Sequence, residues 1–188
     1  MSETDYQTLI DNALLLQRDG ENSLPPVEDW RPPLCGDMPL IIASVGRWWH
    51  EGRPIERESL VRLFASILKR EGDEYFLVTP VEKWRISVEE VPFQVVKLAV
   101  LNQGGKDQTL VFTTALGDCV VADACHPLKV VVDAVSGDPA PYLLVRRNLE
   151  GKLTRSVFYQ LADLAESSCD PGGERLGVIS RGQFFPLE

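Results

Sequence analysis

The chain has 188 residues, of which 44% are hydrophobic and 25% charged, so it is large and apolar enough to form one domain or two small ones around a core. Its formal net charge is −9, which excludes a general nucleic-acid surface and disfavours anionic membranes, because both require clustered cations. The longest nearly apolar run, residues 91–101, is shorter than the roughly 20 residues of a spanning helix. The acidic start, MSETDYQT, lacks the apolar core of a signal peptide. Together with the short apolar run, this predicts a cytoplasmic protein.

The first 37 residues predict an N-terminal helix followed by a proline-rich arm. Residues 4–17 carry a broad apolar face of leucines, typical of a short helix. Residues 20–39 contain five prolines and two glycines, and this composition predicts an extended segment without regular structure.

Residues 38–91 predict a small α+β domain. The runs PLIIASV and WWHEG are strand candidates, and RESLVRLFASILKREG (57–72) has the apolar spacing of an amphipathic helix, with Gly72 as its stop. The runs EYFLVTP and EKWRISV then predict two strands.

Residues 92–188 predict a larger, β-rich α+β domain. Its β-branched runs are FQVVKLAVL, QTLVFTTA, CVVADA, LKVVVDA and YLLVRR, and they are separated by turn residues. A helix over TRSVFYQLADLAES (154–167) and two strands, RLGVISR and QFFPL, follow.

An internal similarity predicts a duplicated strand, helix, strand, strand unit. EGRPIERESLVRLFASIL aligns with EGKLTRSVFYQLADLA, so that Leu60 and Leu63 correspond to Phe158 and Leu161. In this alignment the two Glu-Gly pairs are equivalent turns that lead into a helix, whereas Trp48, Trp49 and His50 have no counterparts. Function is therefore expected where the two copies differ.

Metal binding and nucleophilic catalysis have weak support in the sequence. The segment CVVADACH offers Cys119, Asp123, Cys125 and His126, but not the two close ligand pairs of a zinc site, and the four cysteines form no C-x-x-C pair. Free thiols, no metal and no other cofactor are expected. No Ser or Cys nucleophile is spaced to meet His50 or His126, and the Gly-Gly-Lys of NQGGKDQ reads as a hairpin turn rather than a phosphate loop.

The joint order of several segments resembles a bacterial family known as domain of unknown function number 1285. The segments are WHEGRPIERESLVRLFASIL, YFLVTPVEKWRI, VEEVPF, HPLKVVV, PYLLVRRNLE and LGVISRGQFFPL. The resemblance implies a duplicated core, a C-terminal domain similar to pleckstrin-homology-like barrels, a site between the domains for a nucleotide-like molecule, and a role in signalling.

The residues predict a non-catalytic protein that binds or senses an anionic, planar small molecule, and the resemblance implies that this molecule is nucleotide-like. Arg and Trp side chains hold planar anions by hydrogen bonding and stacking. The candidate ligand-binding residues are Trp48, His50, Arg53, Thr79, Glu82, Lys83, Trp84, His126, Arg146 and Arg147. Two alternatives stay open: an interaction scaffold, with homo-oligomers among its assemblies, and a hydrolase-type enzyme that uses His50 or His126.

Overall fold

The computed structural model describes residues 7–13, 24–132, 137–170 and 173–187. The chain divides into two compact units, Met1–Glu90 and Val91–Glu188. Strands account for 48% and helices for 15% of the structure, so the fold is mainly β with few helices. In the described ranges no helix is long and apolar enough to cross a membrane.

In its described residues, the first unit contains one six-stranded sheet and two helices. Its elements are α1 (residues 7–13), β1 (Leu34–Ile42), β2 (Trp48–His50), β3 (Arg53–Pro54), α2 (Glu58–Ser66), β4 (Leu68–Glu71), β5 (Glu74–Val78) and β6 (Lys83–Val88). The strand order is β3-β2-β1-β6-β5-β4. Two antiparallel meanders, β1–β3 and β4–β6, are joined by the parallel pair of β1 and β6.

The core of the first unit forms where α2 packs against this sheet. Alternate residues of β1, including Leu40 and Ile42, are fully buried, as expected for a strand with one face in the core. Phe64 of α2 is also fully buried, and its ring stacks on Trp48 of β2 at a centroid distance of 6.2 Å. These aromatic side chains supply much of the apolar area that the unit buries.

The helix predicted over residues 57–72 is wrong in its second half. α2 ends at Ser66, and β4 pairs with β5 so that Leu68 lies opposite Leu77. The connection is a two-residue turn, Gly72-Asp73, in which Gly72 has a φ of 61°. Sheet pairing wins over helix propensity here because Leu68 and its partner are both completely buried.

The arm and the first strand also differ from the prediction. The sequence predicts no regular structure up to residue 39, yet β1 begins at Leu34, directly after two prolines. The neighbouring strand β6 supplies the hydrogen-bond partners that make this segment extended. β1 ends at Ile42, earlier than predicted, because the backbone turns at Ala43–Gly46, where the Ser44 N–H donates to Glu89 Oε2 at 2.8 Å.

The described part of the second unit contains a six-stranded sheet, a three-stranded sheet and one helix. Its elements are β7 (Phe93–Leu101), β8 (Thr109–Thr114), β9 (Cys119–Val121), β10 (Leu128–Val132), β11 (Pro139–Arg146), β12 (Leu149–Leu153), α3 (Arg155–Ala162), β13 (Glu166–Asp170), β14 (Gly173–Ser180) and β15 (Gln183–Pro186). The larger sheet has the order β10-β11-β12-β7-β8-β9, with β12 and β7 parallel. β13, β14 and β15 form the smaller antiparallel sheet.

Buried polar side chains tie the smaller sheet to β8. Ser180 is fully buried, and its hydroxyl accepts a hydrogen bond from the Leu110 N–H at 3.0 Å and donates to the Ala122 carbonyl at 2.7 Å. Gln108 Nε2 donates to the carbonyl of Ile179 at 2.8 Å. Because these groups are paired, their burial carries little penalty and fixes the relative position of the two sheets.

The helices predicted over residues 4–17 and 154–167 are each confirmed in part. Within residues 4–17, those at 7–13 are helical, and the remainder lies outside the described ranges. The helix predicted over 154–167 ends at Ala162, and β13 begins at Glu166, where pairing with β14 replaces the predicted last turn.

The two Glu-Gly pairs that anchor the predicted repeat have different conformations. Glu51 and Gly52 form the turn between β2 and β3, with φ values of 49° and 74°. Glu150 and Gly151 lie inside β12, a strand that the sequence does not predict. A β-carbon on Gly151 would come within 3.2 Å of Phe93, so this glycine permits close packing rather than a turn. The two Glu-Gly pairs are therefore not structurally equivalent.

The large sheets of the two units share one strand order. In each sheet the first three strands form one antiparallel meander and the next three form another. The two meanders are joined because the first strand pairs in parallel with the sixth. The helix differs in position: α2 follows the third strand of its sheet, whereas α3 follows the sixth. The similarity of strand order relates β1–β6 to β7–β12, a different correspondence from the sequence alignment.

Gly177 of β14 is a position where we expect a single methyl group to destabilise the protein. A β-carbon there would lie 2.3 Å from Phe184 Cζ and 2.5 Å from the Phe185 carbonyl oxygen, so the β14–β15 hairpin would have to separate. We expect Gly177→Ala to lower the free energy of unfolding in urea by about 1–3 kcal/mol. Leu176→Ala, on the neighbouring exposed position, should cost less than half as much, and equal effects would contradict the packing explanation.

Candidate functional site

Trp48 is a core residue, and the structure resolves which of the two adjacent tryptophans is buried. Trp48 is 2% exposed, and among the described residues its indole Nε1 has no hydrogen-bond partner. Trp49 is half-buried on the other face of β2, opposite Ile41. The Trp48 ring is covered by Phe64 and has no open face for a ligand.

His50 and Arg53 lie far along the sheet from Lys83. His50 is paired with Leu40 of β1 and with Arg53 across the β2–β3 turn, whereas Lys83 is paired with Leu34 of β1. Six residues of extended strand separate Leu34 from Leu40, which corresponds to roughly 20 Å. The structure therefore does not bring these predicted residues together into one site.

Thr79, Glu82 and Trp84 form a buried network at the turn between β5 and β6. The Thr79 hydroxyl accepts a hydrogen bond from the Glu82 N–H at 3.2 Å, and Glu82 Oε2 accepts one from Trp84 Nε1 at 2.9 Å. Glu82 Oε1 also accepts a hydrogen bond from Asn12 Nδ2 of α1 at 2.5 Å. All three predicted residues are thus used to fix the turn and to hold α1.

Arg146 lies in a structural pair in the second unit. Its guanidinium contacts Asp118 Oδ1 at 2.6 Å and stacks over Phe93 at 4.7 Å from the ring centroid. Burial lowers the pKa of Arg146, and the charge of Asp118 opposes this shift. Asp118 also accepts a hydrogen bond from the Thr114 hydroxyl. Arg147 is half-buried with a φ of 52°, at the turn into β12.

His126 is paired with Asp123 in the turn between β9 and β10. Asp123 Oδ1 accepts hydrogen bonds from the Cys125 N–H at 2.9 Å and the His126 N–H at 3.0 Å, and it lies 3.2 Å from His126 Nδ1. This is an Asx-turn, which aspartate forms with its own following backbone. Across the described ranges, no group of three or more His, Cys, Asp or Glu side chains is placed to hold a metal ion.

The cysteines for which the side chain is described are free thiols. Cys35, Cys119 and Cys125 are exposed, and the Cys119 sulfur lies 3.9 Å from the Thr113 hydroxyl. The side chain of Cys169 lies outside the described part.

A charged groove in the first unit is the strongest candidate site. It is open, has a volume of about 490 Å³, and is formed where the arm meets β4 and β6. We call it the Lys69 groove; its lining residues are Glu28, Trp30, Arg31, Pro32, Lys69, Arg70, Glu71 and Lys83. This volume lies within the range of small-molecule sites.

Two lysines of the Lys69 groove converge on one carboxylate. Lys69 Nζ lies 3.3 Å from Glu71 Oε1, and Lys83 Nζ is in close contact with Glu71 Oε2. Hydrogen bonding to Lys83 is the largest cause of a lowered pKa of Glu71; burial opposes it and Lys69 adds to it. The Lys83 ammonium also lies 4.2 Å from the centroid of Phe76, in a cation–π contact.

The arm closes the groove on its other side. Lys69 Nζ donates to the carbonyl oxygen of Trp30 at 3.4 Å, and the guanidinium of Arg31 donates to that same oxygen at 2.8 Å and to the carbonyl of Glu28. Arg70 points its guanidinium toward Gly72 and Asp73.

Of the lining residues, only Lys83 is among the candidates predicted from the sequence. A signal for Lys69, Arg70 and Glu71 exists in ILKRE-GD-EYFLV, but none exists for the lining residues of the arm. A two-residue Gly-Asp connection between apolar runs is typical of a hairpin, and in a strand Lys69 and Glu71 share one face.

The comparisons with known proteins agree on one family. Residues 25–91 match the family model "Domain of unknown function (DUF1285), N-terminal domain", and residues 92–187 match "Protein of unknown function (DUF1285), C-terminal domain". No functionally curated protein matches the chain.

Solved structures of the same family are similar to this chain. A DUF1285 family protein from Silicibacter pomeroyi DSS-3 is 43% identical with a TM-score of 0.84, covering 95% of this chain and 93% of that chain. A DUF1285 family protein from Shewanella baltica OS155 is 29% identical with a TM-score of 0.53, covering 68% of this chain and 92% of that chain. The shared architecture is a β-rich, two-domain fold with a curled half-barrel sheet.

Truncating Trp48 tests its role in the core. We expect Trp48→Ala to lower the free energy of unfolding by about 3–5 kcal/mol, because it removes a buried indole and leaves a cavity beside Phe64. Urea denaturation followed by circular dichroism measures the change. Val45→Ala, at a position that is 61% exposed, serves as the control, and a similar small effect of both substitutions would contradict core packing.

The Asx-turn at Asp123 predicts a pH-dependent contribution to stability. Burial opposes ionisation, but the backbone N–H groups of His126 and Cys125 outweigh it and lower the pKa of Asp123. A lowered folded-state pKa gives stability that is present above the unfolded value, about 3.9, and is lost as the pH falls through the folded value. Asp123→Ala should therefore destabilise the protein more at pH 7 than at pH 3, measured by urea denaturation.

Asp123→Asn keeps an acceptor oxygen in the turn but cannot ionise. The stability difference between Asp123→Asn and Asp123→Ala should be the same at both pH values. A wild-type advantage over Asp123→Asn that persists unchanged at pH 3 would contradict the role of the carboxylate charge.

Proposed function

This chain belongs to the DUF1285 family, and we propose that it is a non-catalytic protein that binds a small anionic molecule in the Lys69 groove. The observation that carries the proposal is the convergence of Lys69 and Lys83 on one open groove in a chain of net charge −9. Ammonium groups at a groove wall bind phosphate and carboxylate oxygens by charge-assisted hydrogen bonds.

Lys69 has hydrogen-bonding capacity beyond its present contacts. Its side chain is 5% exposed, so its charge is largely removed from water. Its ammonium nitrogen lies 3.3 Å from Glu71 and 3.4 Å from Trp30. A strong charge-assisted hydrogen bond is shorter, about 2.7–2.9 Å. An ammonium group has three N–H donors, and a ligand oxygen would therefore improve the solvation of this buried charge.

The groove also offers a surface for a planar group, which supports a nucleotide-like ligand. Trp30 is half-buried at the groove wall, and an indole face stacks on planar rings. A ligand with an anionic end between the lysines and a planar end on Trp30 fits both features. A signalling role and a cytoplasmic location remain predictions that accompany this proposal.

The two alternative functions, an interaction scaffold and a hydrolase-type enzyme, have one supporting observation each. Val131 and Val132 are exposed on β10, at the edge of a sheet, which is a feature of strands that pair with other chains. The Asp123–His126 pair has the composition of an acid–base dyad. Local turn formation already accounts for this dyad, so the anion-binding proposal has the more specific support.

We also propose, at the level of the fold, that the chain contains an internal duplication. A helix followed by an antiparallel three-stranded meander occurs in each unit, as α2 with β4–β6 and α3 with β13–β15. The shared strand order of the large sheets relates β4–β6 to β10–β12 instead, so it is a separate similarity and does not support this repeat. A likeness of the C-terminal domain to pleckstrin-homology-like barrels is part of the same proposal.

Titration with sodium pyrophosphate tests the binding proposal. We expect a concentration-dependent rise of Tm of a few degrees at saturation, against sodium chloride of matched ionic strength, because a ligand that binds the folded state stabilises it. In calorimetric titration, Lys69→Met and Lys83→Gln should each weaken binding by about tenfold or more, as expected for the loss of a charged hydrogen bond worth roughly 1.5–3 kcal/mol.

Lys106→Gln is the matched control for these variants. Lys106 is exposed in the second unit, and its replacement changes the net charge by the same amount as Lys83→Gln. Binding that falls equally in Lys106→Gln and Lys83→Gln would indicate a nonspecific charge effect and contradict a site at the groove.

A further inference from the structure

Glu71 occupies the position between two lysines that the oxygens of an anionic ligand would take. Each of its carboxylate oxygens contacts a different ammonium group, Oε1 that of Lys69 and Oε2 that of Lys83. A terminal phosphate or a second carboxylate also presents two oxygens on one atom and can bridge the same pair. Building on the function proposed above, we infer that Glu71 is an internal competitor, which a bridging oxyanion displaces when it binds.

The sheet geometry holds the two lysines in place independently of Glu71. Lys69 lies opposite Phe76 in β5, and Phe76 is paired in turn with Arg85 of β6, two residues from Lys83. These side chains therefore project from one face of the sheet. Phe76 is 3% exposed, and its ring stabilises the Lys83 ammonium through the cation–π contact.

The carboxylate of Glu71 is the most easily moved member of the cluster. Its side chain is 40% exposed, compared with 5% for Lys69 and 18% for Lys83. Glu71 is the last residue of the edge strand β4, directly before the Gly72-Asp73 turn. A partly exposed carboxylate regains water when it rotates outward, whereas the Lys69 ammonium stays buried. Displacement thus moves one side chain and leaves the sheet unchanged.

Competition makes the site selective. An incoming anion must replace contacts that Glu71 already makes, so a single weak charge such as chloride gains little. An oxyanion that bridges both lysines and adds contacts to the groove replaces Glu71 with a net gain. The inferred ligand class is a small molecule with a terminal phosphate or carboxylate that binds through two oxygens.

Removing the Glu71 charge should increase anion affinity. We expect Glu71→Gln to bind pyrophosphate about 2- to 10-fold more tightly than the wild-type chain, the range that corresponds to an ion pair at a partly exposed position. Calorimetric titration of the full chain measures the dissociation constants. Parallel titrations with inorganic phosphate and with malonate distinguish a phosphate from a carboxylate ligand. Glu71→Ala provides a second variant that removes the carboxylate and its competing hydrogen bonds.

Glu74→Gln is the matched control. Glu74 faces Glu71 across the hairpin, carries the same charge, and pairs with Arg85 instead of the groove lysines. Its replacement should change affinity less than twofold. If wild type binds pyrophosphate but Glu71→Gln and Glu71→Ala bind it no more tightly than Glu74→Gln does, internal competition is wrong while anion binding stands. If neither wild type nor either Glu71 variant binds any of the three anions, the binding proposal itself is wrong.

Discussion

The parallel pairing of β1 with β6 is the constraint on which the first unit depends. Parallel neighbours cannot be joined by a tight turn, so the chain between them must leave the sheet and return. That intervening chain supplies α2, which covers the core at Trp48, and the β4–β5 hairpin, which completes the sheet beyond β6. The same pairing sets Lys83 beside Leu34, at the end of the arm that carries Trp30. Core and groove are therefore two results of one strand arrangement, and β7 with β12 repeats that arrangement in the second unit.

Most elements of the fold can be predicted from local patterns, and the errors have physical causes. Strands such as β5 and β8 and the start of α2 follow from apolar periodicity and turn residues. Periodicity cannot find the end of α2, since Leu68 suits an apolar helix face and a buried strand equally well. β12 is missed because it contains Glu150, Gly151 and Lys152, whose extended conformation depends on the parallel neighbour β7. In both places pairing with a strand that is distant in sequence decides the local structure.

The candidate site is less predictable than the fold because it depends on which charges are buried. The aromatic ring of Trp48 makes it a candidate in the sequence, yet tryptophans are also common in protein cores, and here Phe64 covers the ring. Lys69 has the opposite character: a lysine beside an arginine and a glutamate looks like a solvated face, but its side chain is 5% exposed. Its burial results from the arm, through Trp30, and no local pattern relates residue 30 to residue 69. Buried cations of this kind can be recognised only once the strands have been paired.

Such a groove is compatible with an acidic protein because burial and long-range charge act at different distances. The net charge of −9 repels anions at a distance, but at physiological ionic strength this repulsion is screened beyond about 8 Å. Inside the groove, Lys69 and Lys83 would contact a bound anion directly, and they are less screened than surface charges because their side chains are 5% and 18% exposed. The acidic surface then works with Glu71 rather than against the site. Both weaken the binding of monovalent anions. Only a ligand that contacts the two lysines together gains enough binding free energy to displace the carboxylate.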